Sequence, residues 1–198
     1  MKQLWVDTET TGLDSAVSGA FEIAFLVFDG GIFKEEKLYN LNPLNETILF
    51  SEEAYKVNGV SEETIRSYPP AETVMREISD WLRTFLWSEM NKPTGEIYCE
   101  KFVFAGYYAG FDYKHMKALF DRCRIDMGEY FDGRLIDVYE LVKKAQAKKI
   151  IGNTTDRKLE TVTRELGIPH DSAHTARSDI WAARKLYETI YAMERKKK

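Results

Sequence analysis

The chain of 198 residues is 44% hydrophobic and 13% aromatic with 5 prolines, a composition that excludes a fibre, a low-complexity segment and a disordered chain. Its length suits a single domain over residues 1–198 that buries roughly 70% of the unfolded chain's surface. A net charge of −4, taken whole, argues against a polyanionic partner.

The first predicted strand, residues 2–9, runs through Leu4, Trp5 and Val6 straight into Asp7 and Glu9, and Thr10-Thr11-Gly12 breaks it. Side chains alternate across a strand with a period of two, so both acids share one face and repel each other. Unless that face is fully solvated, a divalent cation is the usual neutraliser. Two further strands, 21–28 and 32–41, are joined through Asp29-Gly30-Gly31, a hairpin-type turn. Ser51-Glu52-Glu53 and Ser61-Glu62-Glu63 each open a short helix with an acidic first turn, one stopped by Gly59 and the other by Pro69-Pro70. A helix over about 71–90 places Val74, Ile78, Trp81, Leu82 and Phe85 on one stripe.

Phe102–Ala105 is apolar at every position, as suits a central strand covered on both faces. The helix after Asp112 puts Met116, Leu119, Phe120 and Cys123 inward, and Leu135-Ile136 marks a last strand. Three helices follow: one with Val138, Leu141, Val142 and Ala145 inward, one with Leu159, Val162 and Leu166 ending at Gly167, and one over about 175–194. This order predicts an α/β fold, a mixed sheet with helices on both faces.

Cys99 and Cys123 stand 24 positions apart without a Cys-x-x-Cys partner, which favours reduced thiols over a zinc site or a disulfide. No signal-peptide core precedes Asp7, and the longest uncharged run, Phe102–Phe111, is too short to span a bilayer. A cytoplasmic protein with no membrane partner is expected. Charge is uneven: residues 1–140 carry 14 Lys and Arg against 25 Asp and Glu, whereas residues 141–198 carry 14 against 7. The basic part holds Lys143, Lys144, Lys148, Lys149, Arg157, Lys158 and a short tail, Arg195–Lys198. It is either a solvated helix face or a guide for a polyanion.

Each acid has an ordinary reading when taken singly. Asp7 and Glu9 suit a solvated strand edge, Asp112 an N-cap, and His174 with Asp179 a surface pair. Placement changes that, because ligands of mixed α/β sheets bind where strand ends meet helix starts. Asp7 and Glu9 on the first strand, Asp112 after the fourth and Asp179 near the start of the last helix can converge on one cleft. Oxygen donors without a nearby Cys select Mg²⁺ or Mn²⁺. Two such ions about 3.5–4 Å apart stabilise the attacking and leaving oxygens of a phosphodiester.

With these motifs the chain resembles the DEDD-type 3′→5′ exonucleases with a catalytic histidine, typified by polymerase proofreading subunits, ribonuclease T and oligoribonuclease. Asp7-Thr8-Glu9-Thr10-Thr11-Gly12-Leu13 matches the first motif, Phe111-Asp112 the second, and His174 with Asp179 five residues on the third. Fainter matches are Val57-Asn58-Gly59-Val60, Ile136-Asp137 and the Leu159–Ile168 helix. The resemblance implies a ribonuclease H-like sheet of five strands, three antiparallel and then two parallel. It also implies two Mg²⁺ or Mn²⁺ ions and hydrolysis at the 3′ end of single-stranded DNA or RNA, releasing nucleoside 5′-monophosphates.

By that resemblance Asp7, Glu9 and Asp179 hold one metal, Asp7 bridges to the second, and Asp112 supports the second through water. His174 is the general base, placed in the segment before the last helix, since five residues turn a helix by about 140° relative to the start. Thr8, Thr10, Gly12, Leu13 and Phe111 are candidates for receiving the terminal nucleotide, with Leu13 or Thr10 wedged on its base. Tyr107 and Tyr108 stand where the family usually has His-Asn, and Asn58 where a His is common. The tyrosines either stack on bases or simply pack. Asp137 is expected to order the sheet edge or cap a helix, His115 to be an exposed helix residue and His170 a loop residue. A polymerase or a second copy of the chain is a further candidate partner. The competing readings are a module that binds nucleic acid or a polymerase without cutting, and an endonuclease on the same sheet.

Overall fold

The computed structural model describes residues 1–90, 97–170 and 175–197. β1 (Lys2–Thr10), β2 (Ala20–Asp29) and β3 (Ile32–Asn40) form an antiparallel meander. Gly30 and Gly31 make the turn between β2 and β3 at φ 57° and 86°, a left-handed backbone that a Cβ disfavours. Next come α1 (Glu52–Asn58) and α2 (Glu62–Ser67), each capped by the expected serine, Ser51 or Ser61. α3 (Ala71–Arg83) follows, and then β4 (Trp87–Met90) pairs with β5 (Ile97–Glu100) in a second, two-stranded sheet.

β6 (Phe102–Gly106) is buried along its whole length. Beyond it lie α4 (Ala109–Arg122), β7 (Phe131–Asp137), α5 (Val138–Ala147), α6 (Leu159–Glu165) and α7 (Ala176–Lys196). The main sheet has the order β3-β2-β1-β6-β7, with β6 parallel to both β1 and β7. The mixed sheet of three antiparallel and two parallel strands is therefore as expected.

Alternation along β1 divides the core. Leu4 and Val6 pack with Phe25 and Phe104 against Ile78 of α3 and Met116 of α4. Trp5 packs with Leu26 and Ala105 against Val142, Val162 and Ile180 of the last three helices. On this second side Arg184 is only 6% exposed, its guanidinium 4.0 Å from the Phe28 ring centroid and 5.2 Å from that of Trp5. Glu188, one turn on, pairs with it at 2.9 Å, so the buried charge is partnered.

Two expectations are corrected. The helix predicted over 71–90 ends at Arg83, where Thr84 turns its hydroxyl onto the Trp81 carbonyl at 2.6 Å. Phe85 still belongs to the apolar stripe, packing 5.5 Å from Trp81 and 6.3 Å from Phe102, but from the turn after the helix. The helix expected after Asp112 begins at Ala109, because Tyr108 takes a left-handed conformation, φ 60° and ψ 38°, ahead of it. Asp112 thus lies within the first turn and is not an N-cap. Cys99 and Cys123 are free thiols, and among the described residues no helix is long and apolar enough to cross a membrane.

Candidate active site

The parity that separates Leu4 from Trp5 also puts the two acids of β1 on one side. Asp7 and Glu9 continue the Trp5 side, toward α7, while Thr8 continues the Leu4 and Val6 side, toward α4. At Gly106 a Cβ would lie 2.8 Å from the Val6 carbonyl oxygen, so glycine lets β6 end tightly against β1 beside Asp7. α7 presents Asp179 in its first turn behind Thr175, whose hydroxyl caps the Ser178 amide. Asp7, Glu9 and Asp179 each offer a carboxylate oxygen, and the three oxygens lie within 4.8 Å of one another.

Glu22, which faces Glu9 across the β1–β2 pair, accepts a hydrogen bond from the Ala176 amide at 3.0 Å. It thereby fastens the start of α7 to β2 and holds Asp179 over β1. The sequence reading missed Glu22; the β2 alternation, which puts it on the face of Ala24 and Leu26, is the signal that marks it.

Asp112 stands apart from the three-acid group. It is 3% exposed, and its Oδ1 accepts from the Thr8 amide at 3.0 Å and the Thr8 hydroxyl at 2.7 Å. Burial pushes its carboxyl up to about 7, against the downward pull of the Thr8 bonds. Burial also lifts Asp7 well above the usual carboxylate range, with Asp112, Asp179, Glu9 and Glu22 adding repulsion. Glu9 rises to about 7 through burial and then through Asp179 and Glu22. Hard oxygen donors that crowd together and resist ionising alone fit a divalent cation such as Mg²⁺ or Mn²⁺.

Replacing Thr8 with Val keeps the shape and the amide bond but removes one of two donors to a buried carboxylate. We expect Thr8→Val to cost about 1–3 kcal/mol, read as a lower urea midpoint at unchanged slope. An unchanged midpoint would show that the hydroxyl carries none of the Asp112 stabilisation.

The histidines fall out differently from expectation. His115 is not exposed: its spacing from Asp112, Met116 and Leu119 puts it with them on the buried face of α4. The His115 Nε2 lies 3.2 Å from Ser18 Oγ and its Nδ1 3.2 Å from the Phe111 carbonyl oxygen, and burial pushes its pKa down. His170 is in a loop, as expected, but its side chain is 5% exposed and its Nε2 lies 2.6 Å from Asp179 Oδ1. His174 lies outside the described residues.

The nucleotide candidates other than Tyr107 line two neighbouring cavities of about 250 Å³ each. The first is bounded by Thr8, Glu9, Thr10, Gly12, Leu13 and Phe111, with Asn58 beside them. Leu13 is 85% exposed on a loop that α4 holds from behind, where Arg122 donates to the Ser18 carbonyl at 3.1 Å and to that of Ser15. The second cavity also touches Leu13 and Phe111 and adds Tyr108, Lys114 and Asp137. Asp137 caps α5, accepting from the Tyr139 amide at 2.9 Å, in line with its expected structural part. Tyr107 is half-buried with its hydroxyl donating to the Arg157 carbonyl, whereas Tyr108 is 57% exposed.

Residues 4–94 match the RNase T family model, described as exonuclease. No curated protein matches the chain. Among solved structures, E. coli exonuclease I with a dT13 oligonucleotide superposes at a TM-score of 0.80 with 18% identity, over 98% of this chain and 42% of that one. The zinc-bound E. coli exonuclease I–ssDNA complex gives 0.77 and 18%, over 98% and 40%. Cell-death related nuclease 4 gives 0.73 and 16%, over 97% and 64%. The chain thus spans about two-fifths of the length of the exonuclease I chains it matches. At these identities the likeness is one of fold, the ribonuclease H-like mixed sheet. Together with the family match over β1 to β4, it bears out the resemblance to the DEDD-type exonucleases.

Proposed function

We propose that the chain is a Mg²⁺- or Mn²⁺-dependent exonuclease that removes nucleoside 5′-monophosphates from the 3′ end of single-stranded nucleic acid. The observation that carries this reading is the meeting of Asp7, Glu9 and Asp179 oxygens within 4.8 Å, beside a cavity of about 250 Å³ that Glu9 also lines. Single-stranded DNA in the exonuclease I complexes supports DNA as the first substrate to try.

In this reading Asp7, Glu9 and Asp179 would hold one ion, and Asp7 and Asp112 would serve the second. When bound, the ions make water a nucleophile near neutral pH and stabilise charge on the scissile phosphate. The chain supplies the rest. β1, paired on both sides, fixes the spacing of Asp7 and Glu9, and Glu22 fixes α7 above them. Thr8 orients Asp112 through its amide and hydroxyl. Leu13 and Phe111 take the terminal base, and Thr10 and Gly12 shape the backbone beneath it. His174 accepts the proton of the attacking water, a task for which a side chain with a pKa of about 6.5 is suited.

The test is incubation with 5′-labelled single strands of DNA and RNA of one sequence, with Mg²⁺, Mn²⁺ or chelator. A metal-dependent ladder shortening from the 3′ end is expected, and the faster strand names the preferred sugar. Internal fragments without a ladder would make the enzyme an endonuclease. Strands left intact under every metal condition would leave the non-cutting binding module.

A further inference from the structure

Tyr108 combines a strained backbone with an exposed ring. Left-handed φ and ψ are a conformation that Gly, Asn or Asp adopts at lower cost than tyrosine. Such a residue persists where its surroundings over-determine it, and it points to a use for the ring. The ring stands at the rim of the second cavity, next to Leu13 and Phe111.

The rings behind it form a braced edge-on cluster. Tyr139, in the first turn of α5, meets Tyr108 edge-on at 4.9 Å and Tyr107 at 6.1 Å. Tyr107 is tied to the Arg157 backbone, and Arg157 Nε donates to Gln146 of α5 at 2.7 Å. Lys143, one turn along α5, stands 5.6 Å over the Tyr139 ring and is held there by Glu140 at 2.8 Å. Charge changes sign along this line. The cleft is built from carboxylates, whereas exposed Lys114, Lys143 and Arg157 lie along or beyond the tyrosines.

We propose that Tyr108, Tyr139 and Lys143 form a track that grips the single strand just upstream of the 3′-terminal nucleotide. This deepens the exonuclease reading and rests on it. Tyrosine faces accept any base, so the track holds a strand without reading its sequence, and Lys143 meets the backbone phosphate beyond the stack. Bases paired in a duplex cannot open onto Tyr108, so the track selects single strands.

The test has two arms. In the first, fluorescence anisotropy measures binding of a labelled single-stranded dodecamer, with chelator present to prevent cutting. Tyr108→Asn, which suits the backbone and removes the ring, is expected to weaken binding about 5- to 150-fold, the equivalent of one lost base stack. Lys143→Gln is expected to weaken it less and to flatten its salt dependence. In the second arm, the kcat/KM ratio of dodecamer to the p-nitrophenyl ester of thymidine 5′-monophosphate, which has no upstream nucleotide, is expected to fall in both variants. An unchanged Kd and an unchanged ratio in Tyr108→Asn would overturn the track. A parent enzyme inactive on both substrates would overturn the exonuclease reading, and the binding arm would still decide the track. Thermal melting of each variant separates these outcomes from loss of fold.

Discussion

Asp7→Asn is expected to abolish hydrolysis, with a loss far beyond the roughly 10- to 100-fold that removing an outer hydrogen-bond partner of a metal ligand costs. Asp7 is the one acid that the proposed arrangement shares between both ions, and asparagine keeps its shape while removing its charge. The same substitution is expected to raise the melting temperature of the metal-free protein. Burial and repulsion hold Glu9 and Asp112 protonated up to about 7 in the fold, and Asp7 is raised as well. The unfolded chain releases those protons near the ordinary carboxylate value of about 4. The folded state therefore binds more protons between these limits, and stability falls as pH rises from about 4 to about 7. Mg²⁺ offsets the fall because it binds the folded carboxylates. Melting curves from pH 4 to 8, with and without Mg²⁺, read this directly. Undiminished cutting by Asp7→Asn would remove the two-metal reading, and a lowered melting point would make Asp7 a structural residue.

His174→Ala is expected to slow turnover by about 10² to 10⁴ at saturating Mg²⁺. His170→Ala is expected to behave differently. Its Nε2 sits on Asp179 Oδ1, so on the proposed reading it acts on a metal ligand and not on the water. Losing it should raise the Mg²⁺ needed for half-maximal rate by about 10- to 100-fold, and saturating metal should restore most of the rate. A metal titration of each variant separates the two. If His170→Ala lowered the plateau and His174→Ala did not, the general base would be His170.

The sheet was readable because its signals are local. The Gly30-Gly31 turn, the apolar run at Phe102–Ala105 and the serine caps at 51 and 61 each act within a few residues. The end of α3 was not, because Phe85 continues the apolar stripe in phase after the helical hydrogen bonds have stopped. The early start of α4 depends on a left-handed tyrosine, which no propensity favours, whereas His115 is buried because it lies one turn before Leu119 on the face that Met116 shares. Asp7 and Glu9 declared themselves by parity on one strand. Glu22 did not, since its part depends on the Ala176 amide 154 residues away.

The hydrogen bonds between Thr8 and Asp112 span 104 residues, and Glu22 reaches Ala176 across a still longer interval. Such contacts raise the contact order of the fold, which slows folding. A ribosome-bound chain that has not yet released α7 has Asp7 and Glu9 but no Asp179 to complete the set. On the proposed reading, the acidic set is complete only once α7 has reached β1, so hydrolytic competence waits on that long-range contact.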